Sequence, residues 1–337
     1  MSYSTKNQPI DFVVTWVNSQ DTAWIKEKNK YLGLEKNTTK QYTDSRRYRE
    51  EVSFKYWFRS IAENCPWVHK IYLVTNGQIP DWLNVANPKL SIVSHQDILS
   101  PDALPTFNSN AIETGIARIE GLSENFVLFN DDMYVIHRTR EDFFFKDSVP
   151  RDEFILYPSI PRDDFDHIMA NNLILINNSP EIKDFKKRNI SKLFSLKYGE
   201  KLIWQFFAML LPAISGFRNP HVPISYNKSQ FLEVEQRFKL SFKKTEFHRF
   251  RNNKDISHWV VRYIRLLRGE FETRSPKEAE YLSISEGVLG VLHRVFKKER
   301  VKLLCLNDDD LDVSPATLRD VNSLFEKEFP QKSSFEV

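Results

Sequence analysis

Cysteine is nearly missing from this chain. Cys65 and Cys305 are the only two among 337 residues. They show no metal-ligand spacing and offer no disulfide framework, which excludes a cystine-stapled secreted scaffold and fits a reducing cytoplasm. A large excess of one charge is also missing: the formal net charge of +3 is too small to argue for a nucleic-acid partner. The first nine residues are polar and lack the apolar core of a secretory signal, so none is expected. No repeat or low-complexity segment occurs. The most apolar stretch, residues 202–214 (LIWQFFAMLLPAI), is interrupted by Gln205 and Pro212. It falls short of the ~20 residues that a spanning helix requires.

What is present is the composition of a soluble globular protein, 41% apolar and 28% charged. The length suits one large or two ordinary domains, with a core deep enough to hold a cleft. The charges are laid out unevenly. Between Asp97 and Asp166 there are 15 acidic residues against 6 Lys and Arg, and between Glu181 and Lys302 there are 26 Lys and Arg against 13 acidic residues. Acid followed by base suits a metal-binding floor facing a phosphate-binding wall, with two solvated faces of opposite sign as the plainer account. Lys183, Lys186, Lys187, Arg188, Lys192, Lys197 and Lys201 lead into the apolar run. A basic approach to an aromatic-rich segment suits docking on an anionic leaflet. A buried core helix explains the same residues, and the sequence leaves both readings open.

Residues 10–17 (IDFVVTWV), 71–75 (IYLVT), 90–94 (LSIVS) and 126–129 (FVLF) read as strands, and residues 50–64 and 110–119 as helices. Pro66 lies where the first helix should have stopped. Apolar strands alternating with helices predict a mainly parallel sheet covered on both faces. Residues 154–178 hold two further β-rich segments, and the chain to about residue 296 reads as mostly helical with basic faces. Residues 301–306 then return as a strand. The fold expected is α/β: a Rossmann-like, mainly parallel sheet with a large helical insertion, the last strand returning to the first sheet. One discontinuous catalytic domain results, with residues 8–180 and 300–312 as core and 181–299 as a basic insertion.

Two runs, Phe129-Asn130-Asp131-Asp132 and Leu306-Asn307-Asp308-Asp309-Asp310, place carboxylates where a strand stops. Ligands of open α/β sheets bind outside the carboxyl ends of the strands. Paired carboxylates there are hard oxygen ligands for Mg²⁺ or Mn²⁺, which in turn hold a diphosphate. Turns also favour Asp, but two copies at like positions favour a metal site, with Asp131, Asp132 and Asp308 as its ligands. His221 lies in a loop stiffened by Pro220 and Pro223, suited to hold an imidazole as general base. From the sequence alone, a structural loop histidine is the plainer account. Arg249 and Arg251 flank Phe250, and Arg251 is the phosphate-binding candidate. Arg262, Arg265 and Arg268 read as a solvated or lipid-facing rim, and His95 and His248 as ribose, loop or packing contacts. Trp16, Asn18, Asn76 and Gly77 end two strands and are candidates to line a nucleotide pocket, as Asn130 is beside the acidic pair. Asn108 opens a helix whose N-terminus is placed to help hold phosphate.

Residues 10–18 (IDFVVTWVN), 45–51 with 58–61, 66–82, 105–113 (PTFNSNAIE) and 122–132 resemble the first two conserved regions of the Stealth family. Residues 221–251 resemble its third region, and 304–308 (LCLND) its fourth. The resemblance covers most of the chain in the family's order. It implies a transferase of bacterial capsule and exopolysaccharide synthesis, similar to the catalytic part of the animal N-acetylglucosamine-1-phosphotransferase. Such an enzyme moves a hexose 1-phosphate from a nucleotide-sugar, usually a uridine diphosphate sugar, to a glycan hydroxyl and releases the nucleoside monophosphate. By position the resemblance makes Asp11, Asp132, His221 and Arg251 catalytic candidates, reversing the plainer account of His221. It also implies a polysaccharide or lipid-linked glycan acceptor, and hence a cytoplasmic protein at the inner face of the membrane. Asp309 and Asp310 extend the last motif, leaving open which of the three acids contacts the metal. Two other readings compete: a metal-dependent glycosyltransferase releasing a nucleoside diphosphate, and a non-catalytic protein that docks on the membrane and organises assembly enzymes.

Overall fold

The run IDFVVT forms β1 (Ile10–Thr15) in the computed structural model, which describes residues 8–34, 52–160, 164–307 and 313–337. Its β-branched and aromatic side chains fit a pleated surface, and cover on both faces explains why polar residues do not alternate with them. β2 (Ile71–Thr75) pairs with β1 in parallel, and β3 (Leu90–Ser94) lies parallel outside β2. On the other side β4 (Asn125–Asn130) is parallel to β1, with Thr15 opposite Asn130. Phe12 and Val14 join one core while Val13 joins another, the alternation expected of a strand with helices on both faces. The sheet is therefore α/β, Rossmann-like and mainly parallel.

In chain order the longer helices are α1 (Thr22–Leu34), α2 (Lys55–Asn64), α3 (Ser109–Gly115), α4 (Asp164–Asn177) and α5 (Leu202–Met209). They continue with α6 (Lys228–Arg237), α7 (Lys239–Glu246), α8 (Trp259–Arg268), α9 (Val288–Phe296) and α10 (Pro315–Glu328). Trp57, Phe58 and Ile61 of α2 pack with Leu292 of α9 and Phe325 of α10 on one face. Phe231, Phe242, Val260 and Ile264 of α6 to α8 fill the other.

Two expectations are corrected by this topology. Residues 154–178 are not two β-rich segments, since α4 occupies most of that stretch. The LILIN run is β-prone by composition, but Asn172 bonds both the Ser257 hydroxyl and its backbone N–H, so tertiary contacts hold the helix. The segment read as a mostly helical insertion also carries β8 (Ile224–Asn227), which pairs antiparallel with β4 and closes that edge of the first sheet. The late strand β11 (Leu303–Asn307) consequently does not return to the first sheet. It pairs antiparallel with β5 (Met133–Val135), the strand that leaves the Asp131-Asp132 turn, and parallel with β10 (Ala279–Ser283). A third small sheet joins β6 (Phe145–Lys146), β7 (Val149–Asp152) and β9 (Glu272–Thr273). The late strand thus still arrives beside the acidic turn: the Leu306 amide donates to the Asp132 carbonyl at 3.0 Å.

Candidate active site

β4 carries Asn130 to the carboxyl edge of the sheet, and the chain turns through Asp131 and Asp132 into β5. Cys305 and Asn307 sit two apart on β11 and so share a face. That face meets Asp132: Asn307 Nδ2 donates to Asp132 Oδ2 at 3.2 Å, and the Cys305 thiol lies 3.3 Å from the same oxygen. His221 Nε2 stands 4.0 Å from Asp132 Oδ2 and 3.5 Å from Asn307 Nδ2. Its ring sits edge-on to Tyr281 at 5.7 Å. The His221 backbone has φ of 45°, a left-handed conformation that L side chains adopt at a cost of ~1–2 kcal/mol. Residues held this way persist where the surroundings over-determine them, and such positions cluster at working sites.

Asp132 Oδ1 is buried and has no hydrogen-bond partner. Burial raises the pKa of this carboxyl, and the nearby His221 opposes the shift. An ionised oxygen buried without a donor is costly, and a cation removes that cost. Ligand atoms of Asp132, His221 and Cys305 all fall within 4.8 Å of one another, the one such group of three found among the described residues. The carboxylate suits hard Mg²⁺ or Mn²⁺, and Mn²⁺ also accepts imidazole. The thiol suits neither ion well and is better placed as a donor to Asp132. The donor set therefore fits the expected divalent cation through Asp132. Asp131 lies on the same turn but outside that group, and Asp308, Asp309 and Asp310 lie outside the described residues.

A second group abuts the first. Ser109 Oγ, at the start of α3, accepts from Arg251 Nε at 3.2 Å and from Nη2 at 2.6 Å. The segment carrying Arg251 is strapped to the chain before α3. Phe107 N–H donates to the Arg249 carbonyl at 2.7 Å, Arg249 Nη1 donates to the Pro105 carbonyl at 2.8 Å, and Phe107 stacks on Phe250. Glu113 of α3 is buried, and burial pushes its carboxyl up to about 7, with Arg251 opposing and Asp132 adding to the shift. His258 Nε2 is 3.5 Å from Glu113, and burial holds its imidazole down at about 3, so the ring is neutral at pH 7. The structure thus brings Asp132, His221, Arg251 and Asn307 to one edge of the sheet.

Asn18, Asn76 and Gly77 lie along that carboxyl edge. Asn18 and Gln78 tie the loops after β1 and β2 together, the Asn18 amide donating to Gln78 Oε1 at 2.8 Å and Gln78 Nε2 to the Asn18 carbonyl at 3.0 Å. Gly77 takes φ of 105° in this turn, which a side chain would strain.

Three expected site residues do other work. Asp11 is the second residue of β1, at the amino edge and away from the acidic turn. Its buried carboxylate accepts from the Ser123 amide and bonds His69 Nδ1, each at 2.7 Å. Trp16 is buried and stacked face to face on Phe54 at 5.7 Å, so it is core rather than a platform for a base. Asn108 is fully buried: its amide donates to Asp255 and to the His248 carbonyl while its oxygen caps α3. His248 bonds Asp255 at 2.6 Å and His95 is buried, so both are packing contacts. Cys305 was not legible as a neighbour of Asp132, because nothing in the sequence shows that β11 pairs with β5. Its one signal is the two-residue spacing from Asn307.

Comparison with known proteins places these elements in a family. The model for Stealth protein CR1, conserved region 1, matches residues 8–35. That for CR2 matches residues 47–152 and that for CR3 residues 220–261. An exopolysaccharide phosphotransferase, cps2G of Lactiplantibacillus plantarum, is 38% identical over 330 residues, 97% of this chain and 96% of its own length. A capsular polysaccharide phosphotransferase, WcwK of Streptococcus pneumoniae, is 39% identical over 335 residues, 98% of each chain. Among solved structures, the glycosyltransferase GlyE of Streptococcus pneumoniae TIGR4 overlays at 11% identity with a TM-score of 0.40, covering 97% of this chain and 66% of that one. That overlay is too loose to add to the topology. Three regions matched in order and relatives similar along their whole length show that this chain is a transferase and belongs to the Stealth family.

Proposed function

We propose that the chain transfers a hexose 1-phosphate from a nucleotide-sugar, with a UDP-sugar as the expected donor, to a hydroxyl of a capsular or exopolysaccharide glycan. The observation that carries this is the buried, unpartnered Asp132 Oδ1 with His221 and Asn307 against the same carboxylate. The relatives' names, polysaccharide phosphotransferases, support the reaction class.

In the step, the acceptor oxygen forms a bond to the phosphorus that carries the sugar. The phosphoanhydride bond breaks and the nucleoside monophosphate leaves. His221 Nε2 takes the acceptor proton, with the Asp132 carboxylate beside it as opposite charge for the imidazolium. Arg251 offers its guanidinium fork to a phosphate once it turns from Ser109. Asn307 holds Asp132 and His221 in register with each other. A divalent cation held by Asp132, with Asp131 and Asp308 as further ligands, would neutralise charge on the diphosphate. Asn18, Asn76, Gly77 and Asn130 line the approach for the nucleotide. The acceptor, a polysaccharide or lipid-linked glycan, is met at the cytoplasmic face of the membrane.

The test is incubation with a panel of nucleotide-sugars, Mg²⁺ or Mn²⁺ and glycan acceptor, scoring the nucleotide released. Nucleoside monophosphate is expected, formed one for one with phosphodiester-linked product. Nucleoside diphosphate would instead show glycosyl transfer and overturn the proposal.

A further inference from the structure

Helix α5 is apolar yet largely uncovered. Ile203, Trp204, Phe206 and Phe207 are 63%, 52%, 55% and 59% exposed, and Leu210, just beyond the helix, is 69% exposed. Only Gln205 and Ala208 of α5 are buried, with Gln205 Oε1 accepting from the Leu156 amide at 2.6 Å. Of the two that turn inward, only Ala208 is apolar, and the larger, Gln205, is polar. The buried-helix reading of residues 202–214 therefore fails for α5 itself. A large aromatic side chain covers ~150–250 Å², so Trp204, Phe206 and Phe207 alone leave on the order of 300 Å² of ring surface in water. Isolated exposed apolar residues need no account, but a contiguous patch of this size marks an interaction surface. No helix among the described residues is long and apolar enough to cross a membrane.

The surroundings decide the occupant. Residues 183–201 carry seven Lys and Arg. Lys183, Lys187, Arg188 and Lys197 are exposed there, as are the apolar Ile190, Phe194 and Leu196. Against these seven cations the stretch holds two acids, the exposed Asp184 and Glu200, which lies 3.6 Å from Lys201; Glu181 just before it is bound to Arg237 and Arg268. Cations beside exposed Trp, Phe and Leu complement an anionic lipid surface, where rings enter the headgroup boundary and Lys reaches phosphate. A second protein copy would need acids to face these cations, and around α5 the exposed charge is mostly positive. The chain also runs directly from α5 through Phe217 to His221, so a membrane-seated helix tethers the catalytic loop.

We propose that α5 and the Leu210–Leu211 end lie in the surface of an anionic bilayer, seating the active site where a lipid-linked acceptor is presented. The role given to the acceptor rests on the function proposed above, whereas the binding does not.

The test uses the full chain and vesicles of phosphatidylcholine with or without phosphatidylglycerol. Co-sedimentation with the anionic vesicles at low salt is expected, falling by more than about tenfold in high salt. The variant Trp204→Ser/Phe207→Ser should lose binding while its thermal melt and its activity on a short soluble acceptor stay unchanged. Lys187→Glu/Lys197→Glu should weaken anionic but not residual neutral binding. Absent binding at low salt, equal binding by Trp204→Ser/Phe207→Ser, or a dimer that this variant turns monomeric would each overturn the proposal. A failed donor assay with intact vesicle binding would overturn only the proposed function.

Discussion

Asp132 is held in a place that a nearby cation would suit. Burial raises its pKa and one oxygen is unpartnered. Asp132→Asn should therefore lower turnover by orders of magnitude without loss of the fold, and without metal it should melt no lower than the parent. Mn²⁺ at 100 times its Kd should stabilise the parent by ~2.7 kcal/mol and leave the variant's melting temperature unmoved; an equal shift in both would remove Asp132 from the metal site. His221 allows a separate test, because its left-handed backbone suits glycine. His221→Gly should depress kcat more than it raises the donor KM while stability holds or rises by ~1 kcal/mol. Unchanged kcat would leave the imidazole a packing group. Much of this site was legible at the level of residue type. Asp132 stands out as a strand-end acid and His221 as an imidazole in a loop with two prolines, and the structure sets the two side chains 4.0 Å apart. Asp11, a candidate through the resemblance, starts β1 and so lies at the amino edge, whereas Trp16 follows the strand's other end but turns into the core against Phe54.

At the scale of the element, α8 departs furthest from expectation. Arg262 and Arg265 were expected on a solvated rim, yet both are fully buried and bound to Asp152 of β7, with Arg262 Nε donating to Asp152 Oδ2 at 2.8 Å and Arg265 Nη2 at 2.5 Å. Arg268 alone meets the edge, bonding Glu181 and Glu233, and Gly269 ends the helix at φ of 74°. An arginine every third residue reads as a polar stripe only when its partner is unknown, and Asp152 lies far off in sequence. Burial by itself would raise the Asp152 carboxyl; the guanidiniums of Arg262 and Arg265 outweigh it and hold the pKa down at about 2. Asp152→Asn, which strands those cations, should cost ~3–5 kcal/mol at neutral pH. The folded pKa lies below the ordinary 3.8, so this stabilisation is present above about 4 and fades as pH falls toward 2. Denaturant melts of the two proteins should converge over that window. A gap that persists at pH 2 would mean the loss is one of packing. The strands of the first sheet were legible because apolar runs bounded by turn residues leave few alternatives, whereas the pairing of β11 depends on which edges are already filled.

Across the whole molecule, early and late segments are locked together. Arg59 of α2 donates to Glu336 at 2.9 Å and to the Phe329 carbonyl at 3.0 Å, and the Val337 amide donates to the Trp82 carbonyl at 2.9 Å. Glu336→Gln should lower the melting temperature measurably, because Arg59 is buried and loses its best-ordered counter-charge; an unchanged melt would show that Glu326 suffices. The same long-range closure governs the active site. Cys305 and Asp132 are 173 positions apart and Asn307 and Asp132 are 175 apart. Contacts of such separation form late, since a long loop must close before it is rewarded. A chain still emerging from the ribosome can build β1 to β4, but it has no Asn307 to set against Asp132 until most of its length has been made. On the function proposed above, a chain ended before Asn307 should be folded in part yet without turnover, since nothing then holds Asp132 and His221 in register.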